Sequence, residues 1–115
     1  MKLDVQLKDM LATVTDPSSR LAMFAFVNSG VIDALANGSM SATDAIYSFY
    51  NADNCLYARK HLKNKLANRL MGHGVQLPDL FDILPAEEAQ QAFLHELAAM
   101  RLLCLKLIEG SLQAA

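Results

Sequence analysis

Tryptophan is missing from this sequence, and cysteine (2), proline (3) and glycine (5) are scarce among its 115 residues. So little proline and glycine excludes a collagen-like or low-complexity chain, and two cysteines are too few for a disulfide scaffold. Cys55 and Cys104 lie far apart in unlike contexts; a pair can bridge in an oxidising compartment, but the spacing matches neither a redox motif nor a zinc knuckle. Long apolar runs are absent too. The longest uncharged stretch, Leu21 to Ile32, has 12 residues, against about 20 for a bilayer crossing. The opening Met1-Lys2-Leu3-Asp4-Val5 is charged where a secretory signal needs an apolar run, and the sequon Asn37-Gly38-Ser39 has no meaning without secretion. Neither charge sign dominates: 10 Lys/Arg stand against 12 Asp/Glu, with a pI near 5.8. Whole-molecule attraction to DNA or anionic membrane is thereby disfavoured. The expectation is a cytoplasmic, reduced protein that leaves membranes alone.

Leucine (19) and alanine (17) are abundant, while valine, isoleucine and threonine together number 12. Side chains that lose little rotamer freedom in a helix therefore prevail. With 53% hydrophobic and 19% charged residues, the chain carries enough apolar surface for a core. No linker, repeat or low-complexity tract divides it. The sequence predicts one all-α domain over residues 1–115, a compact bundle of about five helices with a long C-terminal one.

Helical spacing of Leu3, Leu7, Met10, Leu11 and Val14 predicts a short first helix, with Lys2, Asp4, Lys8 and Asp9 elsewhere on its wheel. Asp16 and Pro17 suit the cap and first position of a second. That helix opens with Leu21–Val27, apolar on every side, which predicts a central, surrounded helix; locally the same seven residues also fit a strand. Asn28-Ser29-Gly30 offers a kink, and Asn37-Gly38 a left-handed close. Ser41-Ala42-Thr43-Asp44 reads as a capping box before Ile46, Phe49 and Tyr50. Asp53 or Asn54 then caps a fourth helix carrying Leu56, Leu62, Leu66 and Leu70, ending at Gly72-His73-Gly74. Val75–Leu84 reads as a loop tucking Leu80, Phe81, Ile83 and Leu84 onto the core. Pro85 starts the last helix, which runs about 25 residues to Glu109 before Gly110 stops it, with Glu87 and Glu88 at its positive end.

Signs of chemistry are sparse. His95-Glu96 is half of a zinc-protease pattern, but Ala99 stands where the second histidine belongs. His61 and His73 lack an i, i+4 partner, and Cys55 and His61 fall about 120° apart on one helix. There is no nucleophile elbow and no phosphate-cradling glycine loop. Asp79 and Asp82 suit the caps of a short turn. No catalytic residue, metal or cofactor is expected, and the protein is read as not an enzyme.

Two features remain. Between Asp53 and Asp79 there is no acid, while Arg59, Lys60, Lys63, Lys65 and Arg69 supply five cations. On a continuous helix over 54–71, Arg59 and Lys63 share the apolar stripe, Lys60 and Arg69 flank it, and Lys65 lies further round. That scatter fits snorkelling stems better than a basic stripe for phosphates. A helix-turn-helix fits poorly: Ala34 and Gly38 have the spacing, but Ser39 and Asp44 occupy apolar positions, and a register from Ala45 puts Phe49 where glycine belongs. In the last helix, Phe93, Leu97, Met100, Cys104 and Leu107 repeat at 4-3-4-3 spacing, the seam of a helix pair. Leu94, Leu105 and Ile108 form an adjoining row, widened by Leu102 and Leu103. A doubled face implies a second partner, so Phe93, Leu94, Leu97, Met100, Arg101, Cys104, Leu105 and Ile108 are the expected interface. The sequence favours a non-enzymatic protein-interaction module (a regulator, adaptor or neutralising partner), homodimeric through this helix. The alternative is a nucleic-acid-binding transcriptional regulator using the five cations.

Overall fold

A computed structural model describes residues 3–114; Met1 and Lys2, the latter assigned above to the first helix's wheel, lie outside them. The fold is 80% helical, with no strand among the described residues. Six α-helices follow in order: α1 (Leu7–Met10), α2 (Pro17–Ala36), α3 (Ala42–Ser48), α4 (Ala52–Tyr57), α5 (Lys65–Ile83) and α6 (Ala86–Ala114), with a π-helical turn at Ala58–Leu62. The all-α bundle is as expected, with six helices in place of about five and no strand at Leu21–Val27.

Local chemistry sets several boundaries. The Asp16 carboxylate accepts from the Ser19 N–H at 2.9 Å, with Pro17 opening α2. Ser41 and Asp44 complete a reciprocal capping box at 3.0 and 3.2 Å. Gly38, at φ +81°, takes the left-handed conformation that follows the Asn37 C-cap, which glycine adopts without a Cβ penalty.

Other expectations are corrected. The first helix is a single turn, and only Leu7 and Leu11 of its apolar set are buried. The cap of α4 is Asn51, whose side chain accepts from the Asn54 N–H. Asn54 is instead buried, accepting from the Leu7 N–H at 3.0 Å and donating to the Val5 and Phe49 carbonyls at 2.7 and 2.8 Å. No continuous helix spans 54–71: α4 passes into the π turn, Lys63 is left-handed at φ 49° and ψ 46°, and Asn64 caps a new helix. Nor is 75–84 a loop. α5 runs through Gly72, Gly74 and Pro78 to Ile83. Two glycines and a proline cost such a helix about 5 kcal/mol in propensity. Burying Met71 and Leu77, at about 1.5–3 kcal/mol each, with Leu80 partly covered, offsets that. α6 likewise continues through Gly110, and its 29 residues reach about 43 Å, along a molecule whose longest extent is 44 Å.

α6 lies between α2 and α5 and is the main partner of both. Phe24, Ile32, Leu35, Leu70, Leu77, Met100 and Cys104 build the core where the three meet. Asn28 is buried there, accepting from the Tyr50 hydroxyl at 3.1 Å and donating to the Phe24 carbonyl at 3.0 Å. Contrary to expectation, α2 is not surrounded: Phe26 is 60% exposed and Met23 39%.

Candidate protein-interaction surface

The two rows of α6 part company in the fold. Phe93, Leu97, Met100, Cys104 and Leu107 are all buried against α2 and α5, so the 4-3-4-3 seam is an intramolecular one. Most of the adjoining row stays outside: Leu94 is 48% and Leu105 54% exposed, continued by Leu112 at 73%, with Leu102 beside them at 53% and Ile108 partly covered, whereas Leu103 is buried in the core. Of the eight interface residues expected from the sequence, Phe93, Leu97, Met100 and Cys104 therefore face inward. Leu94, Arg101 and Leu105 face outward, and Ile108 sits at the rim.

α2 runs antiparallel to α6 and adds to the same surface. Near one end, Ala22 and Phe26 line a groove of about 480 Å³ with Ile108 and Leu112. Towards the other, Asp33 pairs with Arg101 at 2.6 Å. Both partners are well exposed, so the pair contributes about 1 kcal/mol at most; its effect is to place one acid and one base, mutually neutralised, beside an apolar row. Phe26 and Met23 were missed from the expected interface. Nothing in the sequence singled them out: the exposed positions of α2 at this spacing are Ser19, Met23, Phe26, Gly30 and Asp33, of which two are apolar.

The five cations do not assemble into one helical row. Arg59 and Lys60 stand on the π turn, Lys63 on the left-handed residue, and Lys65 and Arg69 on α5. All five are exposed, so Arg59 and Lys63 are not on an apolar stripe. Lys60 and Lys8 line a cleft of about 320 Å³ with Tyr57 and His61, whose rings lie 4.8 Å apart.

Reactive side chains are muted. Burial pushes the Cys55 and Cys104 thiols above their ordinary range, for Cys104 against an opposing hydrogen bond with the Ser29 side chain. Burial likewise drives the Tyr50 phenol up. His73 Nδ1 pairs with Glu96, linking α5 to α6; His61 and His95 are exposed. Asp79 and Asp82 project from the last turns of α5 instead of capping a loop turn. No group of three His, Cys, Asp or Glu side chains is placed to hold a metal among the described residues. α2 is the one helix among them long and apolar enough to cross a membrane by length and composition, and its buried residues pack into the bundle. Against protein-family models, curated proteins and solved structures, the chain has no match.

Proposed function

We propose that this protein is a non-enzymatic interaction module that acts through the α2/α6 face and pairs with a second copy there. The observation that carries this reading is the exposed row of Leu94, Leu105 and Leu112, extended by Leu102 and by Phe26 of α2. Scattered exposed leucines need no explanation, but contiguous apolar rows on adjoining helices are the form that protein interfaces take. A two-fold axis suits the surface, because the paired Asp33 and Arg101 are one acid and one base that can exchange partners between copies. Regulator, adaptor and neutralising partner all remain roles such a face serves.

Light scattering tests the pairing. The wild type is expected to show a dimer mass at ~100 μM, where a micromolar dimer is well populated. Leu105→Glu sets like charges against each other near the axis and shifts the mass to that of a monomer. A wild type already monomeric at that concentration overturns the pairing.

A second reading, nucleic-acid binding, is supported by five exposed cations clustered around the π turn and the start of α5. Opposing it are the overall acidic pI and their spread over three local geometries. Titration of mixed duplex DNA decides: phosphate contacts give binding that weakens with salt along a log–log slope of about −0.9 per neutralised phosphate.

A further inference from the structure

The ends of the three long helices are not electrostatically alike. α2 and α5 run parallel to each other and antiparallel to α6. At one end, the start of α2, the start of α5 and the end of α6 come together around Ser18, Leu66 and Lys106. At the other end, the last turns of α2 and α5 and the first turns of α6 meet the start of α3. There they enclose a groove of about 480 Å³ whose apolar lining includes Leu35, Met40, Pro78, Phe81 and Phe93. Phe81 packs on Phe93 with ring centroids 5.2 Å apart, yet stays 44% exposed, and the neighbouring Ile83 is 77% exposed. A large apolar ring thus stands open to solvent in a concave site, with an exposed isoleucine beside it in the chain.

The charge around this groove has one sign. No lysine or arginine occurs between Arg20 and Arg59, or between Arg69 and Arg101. Every segment lining the groove falls within those two intervals. Acids are plentiful: Asp82 lines the groove itself, and Asp44, Asp79, Glu87 and Glu88 lie exposed on the same segments. Asp33, nearby on α2, is already answered by Arg101. The negative ends of the α2 and α5 dipoles point the same way, opposed by the positive starts of α6 and α3. Arg20, Lys65, Arg69 and Lys106 all lie on the turns at the opposite end.

We infer that this groove binds a basic amphipathic helix of a partner protein, its apolar side chains entering between Phe81, Met40 and Phe93 and its lysines or arginines meeting the acidic rim. The inference rests on the reading of the protein as an interaction module, but concerns a surface separate from the α2/α6 face. Helix-in-groove recognition sets a partner helix's apolar anchors at i, i+3/i+4 and i+7 into a trough with complementary charge beside it; the groove supplies the trough, and Asp82 in its lining, with four exposed acids on the same segments, supplies the charge. A partner is favoured over a second copy because this chain's cation clusters sit on committed elements, Arg59 and Lys60 on the π turn held by buried Ala58, and Lys63 on the left-handed residue that ends it. Lys65 and Arg69 belong to a helix whose apolar row, Ala67, Leu70 and Met71, is already buried, and Lys106 stands three residues from Glu109 on α6.

The probe is a fluorescent 18-residue peptide with leucine at helical spacing and lysine elsewhere, titrated by anisotropy against the full chain at about 150 mM salt. Saturable binding is expected. A Leu/Glu counterpart and a scrambled Leu/Lys peptide should not bind. Neutralising the rim (Asp79→Asn, Asp82→Asn, Glu87→Gln, Glu88→Gln together) should weaken binding about tenfold or more, through exposed positions that leave the fold intact. Phe81→Ser should weaken it similarly, with helicity checked by circular dichroism. Leu105→Glu should leave it unchanged, so failure of the dimer and failure of the groove are told apart. Absence of binding overturns the inference, as does binding that ignores the rim variant or the scrambling. Loss of binding in Leu105→Glu overturns it too, by placing the peptide on the α2/α6 face. Self-association removed by Lys65→Glu but not by Leu105→Glu also overturns it, in favour of a second copy.

Discussion

Gly74→Ala should be among the most damaging small substitutions in this protein. Gly74 lies in the buried row of α5, and a Cβ added there would sit 2.5 Å from Cε1 of Tyr50 and nearer still to Cγ and Cδ1. The ring has nowhere to go. It is 1% exposed, stands edge-on to Phe49 with centroids 5.1 Å apart, and its hydroxyl is tied to buried Asn28. Overpacking of this kind costs about 1–3 kcal/mol, and displacing the hydroxyl strands a buried acceptor for about 1–3 kcal/mol more. Replacing glycine by alanine in a helix returns about 1 kcal/mol. The net expectation is a loss of about 1–5 kcal/mol. For a chain of this size the melting temperature should then fall by about 4–20 °C. Gly72→Ala is the control, since nothing lies within 4 Å of its added Cβ; there only the propensity gain applies, and stability should rise by about 0.5–1 kcal/mol. Thermal and urea unfolding of both variants, with Tyr50→Ala alone and combined with Gly74→Ala, completes the test. The clash requires a strong favourable coupling in the double variant. If Gly74→Ala and Gly72→Ala melt alike, Tyr50 does not seat on α5 as described.

Lys63 holds a left-handed conformation without being glycine, at about 1–2 kcal/mol. Lys63→Gly should leave stability unchanged or raise it by up to about 1 kcal/mol in urea unfolding; a clear loss would mean that the lysine side chain holds the turn. The raised thiols of Cys55 and Cys104 imply a small thiolate fraction at neutral pH and slow attack on disulfide reagents. With Ellman's reagent, half-buried Cys55 should react slowly and Cys104 only after denaturant is added. Immediate labelling of both would contradict the burial.

Chain features whose causes are local were legible in the residues. Asp16-Pro17, the Ser41/Asp44 box and Gly38 each act within four positions, so their types and spacing carry the whole signal. Features with distant causes were not. Gly74 reads as a helix stop until Tyr50, 24 positions earlier, is seen to occupy the space its missing side chain leaves. Pro78 reads as a breaker until Leu77 beside it and Met71 about two turns before prove buried. The cation wheel failed because a π turn and a left-handed lysine reset the helical phase between Tyr57 and Lys65, and neither has a compositional mark. For the interaction face, the doubled rows of α6 were readable, but which row faced inward depended on where α2 lay. Phe26 was hidden by a run apolar in every direction.

The packing of α2 on α6 also bears on how the chain reaches its native state. These two helices share the most extensive contact in the fold, yet about 50 residues separate the end of one from the start of the other, and closing a loop that long must precede any reward from the contact. Until it closes, Phe24, Val31, Ile32 and Leu35 have lost their main cover. A folding intermediate with α3, α4 and α5 assembled would therefore display more sticky surface on α2 than the finished protein does. Slower closure, by lengthening the α3–α5 region, would translate into aggregation before it showed as a change in native stability.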